Sequence, residues 1–204
     1  MWHNSRTMRH AVGLLVIGTL VLVAGASTEE LLQRPWPRER RRTLEVGRTA
    51  VVWREATRPD HRLFAGADLT VPADLDTAWR SLSDARALGP MTPGVARVDV
   101  LEETETHRLV QVTIALRTLL GTRTMQLRYA MDQQPKEWMA FRLVEHPYVA
   151  YRGRLDFATS EGGTRLALAT ELQPRVRIPT WLLRWVERRV VLGGIRAWLR
   201  ALAP

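Results

Sequence analysis

From Leu63 onward the chain is a succession of short alternating runs, mostly joined by turns too short to hold a crossover helix. That pattern constrains the fold more than any other feature. Leu63, Ala65, Ala67, Leu69 and Val71 alternate with other residues, the mark of a strand, and Pro72 ends it. The following PADLDTAWRSLSD places Leu75, Ala78, Trp79 and Leu82 on one helical stripe, with Pro72 and Asp74 near its start, where proline and acids suit a first turn. Gly89, Pro90, Pro93 and Gly94 then break the chain. Six further strands are expected: around Val98 and Val100; Val110 to Leu116; Met125 to Met131; Met139 to Leu143; Val149 to Phe157; and Leu166 to Leu172.

Short connections imply antiparallel, meander pairing. These strands have one apolar and one polar face, the latter carrying Gln126, Arg128, Arg152, Arg154, Arg165 and Glu171. Asp156 and Glu171 are expected to meet Arg154 or Arg165 across the sheet. The apolar face needs a cover, and the long segment left to supply one follows Pro179. On a helix, Trp181, Leu182, Trp185, Val186 and Val190 share an arc, while Arg184, Glu187 and Arg188 fall opposite. The pattern predicts Trp181 and Trp185 inside, against the sheet, with Arg184 and Arg188 in water. Beyond Gly193-Gly194 the arc of Ile195, Trp198, Leu199 and Leu202 is rotated, which predicts a kink or two halves with different partners; a helix that ends and restarts is the plainer alternative.

The N-terminal part reads differently. Ala11–Ala26 is an uncharged apolar run behind Arg6 and Arg9, closed by Ala24-Gly25-Ala26, the layout of a secretory signal peptide. Arg34, Arg38, Arg40, Arg41 and Arg42 follow it, and positive charge at that place hinders export or favours a reversed membrane anchor, while a run this short favours the cleaved signal. A wrongly placed start codon is the third reading. Either of the first two puts the protein in the exported or membrane-anchored class, the bacterial periplasm or envelope. Residues 27–62 read as an Arg-rich linker in which Ala50–Trp53 could form one extra strand, leaving 63–204 as the folded domain. The net charge of +9 is partly in this leader and linker, where residues 1–62 hold 11 Arg against 6 acids. With Lys136 as the lone lysine, coding bias explains the arginines better than a nucleic-acid surface, so no nucleic-acid partner is expected. The absence of cysteine excludes disulfides, thiolate metal sites and a cysteine nucleophile.

The order strand, short helix, six-strand meander, long C-terminal helix resembles the START-like helix-grip fold of the SRPBCC superfamily. TVPADLDTAWRSLSD is similar to that superfamily's opening segment, with Pro72, Trp79 and Asp84 in place. PMTPGV resembles its next loop, Gly153 the glycine of its penultimate strand, GGTRLALATELQP its last hairpin, and IPTWLLRWVERR the start of its covering helix. The nearest type is that of the polyketide cyclases/dehydrases and coenzyme Q-binding proteins, and the likeness spans Leu63–Pro204, which makes 63–204 the START-like domain. The exported leader departs from cytoplasmic or mitochondrial members, which puts a ubiquinone or ribosome role in doubt. The resemblance implies an α+β fold in which a curved antiparallel sheet of about seven strands grips the C-terminal helix, with a short helix after the first strand. It also implies an apolar cavity for a hydrophobic small molecule or lipid.

Signals of catalysis are weak. His3, His10, His61, His107 and His146 form no metal-ligand spacing, no nucleotide or nucleophile motif occurs, and neither metal nor cofactor is expected. Glu102, Glu103 and Glu105 read as a solvated hairpin tip. The candidate ligand-binding residues are the larger inward ones: Met125, Tyr129, Phe141, Tyr151, Trp181, Leu182 and Trp185, with Arg189 as the odd charge in the apolar arc. Tyr129 and Tyr151 could orient a polar end of a ligand; Arg189 either snorkels to water or pairs with an acidic head group. The plain alternative is that all of these simply fill a core. Three functions follow: non-catalytic binding or carriage of a hydrophobic molecule; a cyclase/dehydratase using Tyr129, Tyr151 or His107; or a membrane-surface or partner-binding protein meeting an anionic membrane.

Overall fold

The computed structural model describes residues 39–202 apart from 59–60, 93, 119–120, 145 and 147–148. The signal or anchor segment, and the linker up to residue 38, lie outside them. One antiparallel sheet dominates, formed by β1 (Arg40–Val46), β2 (Thr49–Thr57), β3 (Leu63–Val71), β4 (Val95–Glu103), β5 (His107–Thr118), β6 (Gly121–Gln134), β7 (Trp138–Val144), β8 (Val149–Ser160) and β9 (Gly163–Pro174). Its strand order is β1-β2-β3-β9-β8-β7-β6-β5-β4, so the last strand returns to pair with β3. Three helices accompany it: α1 (Leu75–Ser83), α2 (Ala85–Met91) and α3 (Thr180–Ala201).

The expected helix-grip plan is present, but the sheet has nine strands rather than about seven. The two extra strands come from the segment read as linker. Arg40–Arg42 look like poor strand material, yet they lie on the outermost strand, where one edge is open to water. Val51 and Trp53 on β2 point inward and are almost completely buried. Trp53 also donates from its indole nitrogen to Glu55 at 3.2 Å, which satisfies its polar end.

The helical connection differs as well. Asp74 caps α1, accepting from the Thr77 backbone at 2.8 Å. Asp84 then ends α1 and at once caps α2, accepting from the Arg86 and Ala87 amides at 2.9 and 3.1 Å. One aspartate thus starts a second helix that runs through Gly89-Pro90, where the sequence suggested a break. Trp79 anchors α1 to the sheet, edge-on to Phe157 at 5.2 Å between ring centres.

Helix α3 lies across the concave face, unbroken through Gly193-Gly194. Its buried stripe is Leu183, Val186, Glu187, Val191, Gly194, Ile195 and Trp198, which keeps one phase from end to end. The expected kink was an artefact of placing the tryptophans inside. Trp181 and Trp185 point outward, 70% and 48% exposed. Their stripe continues into Arg188, Arg189 and Arg196, and guanidinium groups cannot shed their charge to be buried. The opposite stripe contains one ionisable residue, Glu187, and a carboxyl can be neutralised by taking up a proton. Burying the second stripe is therefore the cheaper choice.

Candidate functional site

Between the sheet and α3 lies an apolar cavity, closed at one side by α1 and α2. The space open to the centre of a water-sized sphere is about 70 Å³, several times the amount that one water needs. The sheet contributes Val110, Val112, Met131, Met139, Leu155 and Leu168. Phe141 and Tyr151 stand together at 5.9 Å between ring centres. Helix α3 adds Val190, Val191, Gly194 and Trp198, and Ser83, Gly89 and Thr92 form part of the helical side.

The shape depends on one close approach. A Cβ on Gly153 would stand 2.4 Å from Phe141 Cζ and 2.7 Å from the Ala169 carbonyl oxygen. Glycine at this point lets the Phe141 ring approach β8 closely, beside Tyr151.

Polar groups are few. Tyr151 is 5% exposed, and its hydroxyl donates to Glu187 Oε1 at 3.4 Å. Glu187 is fully buried on α3, and the same Oε1 accepts from the Thr170 hydroxyl. The Thr170 oxygen also lies 3.2 Å from the Ala65 carbonyl oxygen. Burial outweighs both hydrogen bonds and pushes the Glu187 carboxyl up to about 7. Burial and then the neighbouring Glu187 raise the Tyr151 hydroxyl well above its usual range.

Of the candidates named from the sequence, Phe141 and Tyr151 line the cavity. Tyr129 is completely buried, its hydroxyl held neutral by that burial, but it is not part of the lining. Leu182 is buried and Met125 packs against the core, both away from the cavity wall. Trp181 and Trp185 face outward, and Arg189 leaves the apolar arc to stack over the Trp185 ring at 5.4 Å. Arg184 turns to Thr57 rather than to open water, with contacts of 3.0 and 3.2 Å. His107 is paired with Asp132 at 2.7 Å outside the cavity lining. Across the sheet, Glu171 meets Arg152 and Arg62, not Arg165, which pairs with Asp68 instead.

The candidates named from the sequence left out most of the wall, Met131, Met139 and Trp198 among it, and they left out Glu187. It was assigned to the polar face because it is charged. A signal existed: with Glu187 counted as apolar, the inward stripe runs without a break from Leu183 to Trp198.

Residues 71–197 match the family described as "Polyketide cyclase / dehydrase and lipid transport". The chain belongs to this family. Among solved structures, this member is similar to the ZhuI aromatase/cyclase from Streptomyces sp. R1128, at 22% identity and a TM-score of 0.56, over 70% of this chain and 92% of that one. It is also similar to a STAR-related lipid transfer protein from Xanthomonas axonopodis, at 15% identity and a TM-score of 0.59, over 80% and 99% of the two chains. Identities this low establish the shared fold. No curated protein matches the sequence. Among the described residues, no group of side chains is arranged to hold a metal ion, and no helix is long and apolar enough to cross a membrane.

Proposed function

We propose that this family member binds or carries a hydrophobic small molecule or lipid in the cavity between sheet and helix, without catalysing a reaction on it. The observation that carries this reading is the composition of the wall. Valine, leucine, methionine and aromatic side chains form it, with Ser83, Thr92 and Tyr151 as polar points, the usual make-up of a small-molecule pocket. Tyr151 is the titratable residue in the described lining, and burial holds its hydroxyl neutral. A wall with that inventory favours binding over the cyclase/dehydratase alternative, which needs an acid or base working on the ligand. The apolar run Ala11–Ala26 is consistent with work in the bacterial envelope. Native mass spectrometry of the full chain, followed by solvent extraction, tests the reading. A lipid-like mass released in stoichiometric amount is expected; a reproducibly empty protein that takes up no hydrophobic probe refutes it.

A second reading concerns the outer face of α3. Trp181 and Trp185 are exposed, with Arg177, Arg188 and Arg189 in the same stretch of chain. Exposed indoles beside guanidinium groups match the interface of an anionic membrane, where a carrier would load or unload. Co-sedimentation with vesicles containing phosphatidylglycerol should fall in the double variant Trp181→Ala, Trp185→Ala. Unchanged binding removes this reading.

A further inference from the structure

The carboxyl of Glu187 is not used up by the fold. Its Oε1 takes the contacts of both Tyr151 and Thr170. Its Oε2 is buried and has no hydrogen-bond partner among the described residues. An unmet polar atom in a protein interior is costly and uncommon, and among the described residues no cation is paired with this carboxyl. The groups facing Glu187 are Tyr151 on β8, Thr170 on β9 and the Ala65 carbonyl on β3, with Tyr129 of β6 acting on Tyr151. None of these is basic.

The position of this acid relates it to the cavity. Val190, Val191 and Gly194 line the space, and Glu187 lies one turn before Val191 and two before Gly194 on the same helix face. Its hydrogen-bond partner Tyr151 is itself part of the wall. The acid is therefore joined to the cavity by one side chain.

We propose that Glu187 and Tyr151 form the polar anchor of the cavity, and that its occupant is an apolar molecule bearing a hydroxyl group, an alcohol or phenol. A hydroxyl suits this pair because it both donates and accepts. It can donate to the Tyr151 oxygen in the wall while Tyr151 donates to Glu187 behind it, or accept from the Tyr151 hydroxyl. A hydrocarbon of the same shape offers the Tyr151 hydroxyl no partner. The proposal rests on the cavity being a binding site, and it adds the chemical class of the ligand.

Equilibrium dialysis of the full chain against 2-naphthol and 2-methylnaphthalene tests it, since the two probes share a shape and differ in one hydroxyl. The wild type is expected to bind 2-naphthol at least about tenfold more tightly. Glu187→Leu, checked for folding by circular dichroism, should hold 2-methylnaphthalene and bring the ratio within about twofold. Tyr151→Phe, which keeps the ring and the wall, should reduce the ratio as well. Equal binding of the two probes by the wild type overturns the anchor while leaving the cavity reading intact. A preference that survives in both variants overturns it too. Failure of both probes to bind overturns the cavity reading and the anchor with it.

Discussion

Replacing Glu187 by glutamine should change how stability depends on pH, in a direction fixed by burial. The carboxyl ordinarily titrates at 4.5 and is pushed up to about 7 in the fold, chiefly by desolvation. Between these values the folded chain keeps a proton that the unfolded chain has released. Folding is then favoured by acid: stability is greatest below 4.5, falls as pH rises, and levels off above about 7. Each pH unit in that window removes ~1.4 kcal/mol, so the whole window removes about 3 kcal/mol. Glutamine does not titrate. Its amide can still accept from Tyr151 and Thr170, but its N–H groups lack partners, a cost of about 1–3 kcal/mol that is the same at every pH. The expected result is a stability difference, wild type minus Glu187→Gln, that shifts by about 3 kcal/mol between pH 4.5 and 7.5, or roughly 6–12 °C in Tm for a chain of this size. Other titrating groups are common to both proteins and cancel in the difference. Urea or thermal unfolding across that range measures it. Two curves that run parallel refute the argument that Glu187 is carried into the core as a neutral acid.

Five other substitutions separate the elements of the fold. Trp181→Ala and Trp185→Ala should each change stability by less than about 0.5 kcal/mol, because their side chains are exposed, whereas Trp198→Ala should cost about 3–5 kcal/mol; urea midpoints decide, and a large loss at either outer tryptophan contradicts the helix orientation. Gly153→Ala should cost about 1–3 kcal/mol and weaken probe binding, since the new methyl meets Phe141 and the Ala169 carbonyl; a neutral result in thermal unfolding would show that β8 has room there. Trp53→Ala should cost about 3–5 kcal/mol, as for any core tryptophan, and an unaffected melting temperature would mean that the β1–β2 hairpin is dispensable.

The limits of sequence reading here have a physical pattern. The meander from β3 to β9 was legible because its strands alternate apolar inward residues with others, so the period of two is written in the residues, even where Phe64 and Ala169 bury part of the second face. The covering role of α3 followed from counting faces. What failed was the choice between its two stripes, and it failed through the hydrophobicity of single residues. Tryptophan counts as strongly apolar, so Trp181 and Trp185 drew the helix the wrong way; glutamate counts as charged, so Glu187 hid the true stripe. Both errors vanish if a stripe is judged by its worst member rather than its best. Three arginines that cannot be neutralised outweigh two indoles, and one carboxyl that can take up a proton does not outweigh six apolar neighbours. Of the β1–β2 hairpin only a possible short strand at Ala50–Trp53 was expected, for a related reason. An outer strand needs little burial of its own, and its arginines look the same as those of a linker; the signal lay in the alternation of Val51, Trp53 and Glu55 on β2, where a buried tryptophan carries its own acceptor two residues away. The same reasoning bears on function. A cavity wall is chosen by apolar pattern and is therefore partly visible, as Phe141 and Tyr151 were. An acid behind that wall is visible only once the partner that it contacts across the fold is known, and Tyr151 lies far from Glu187 in sequence.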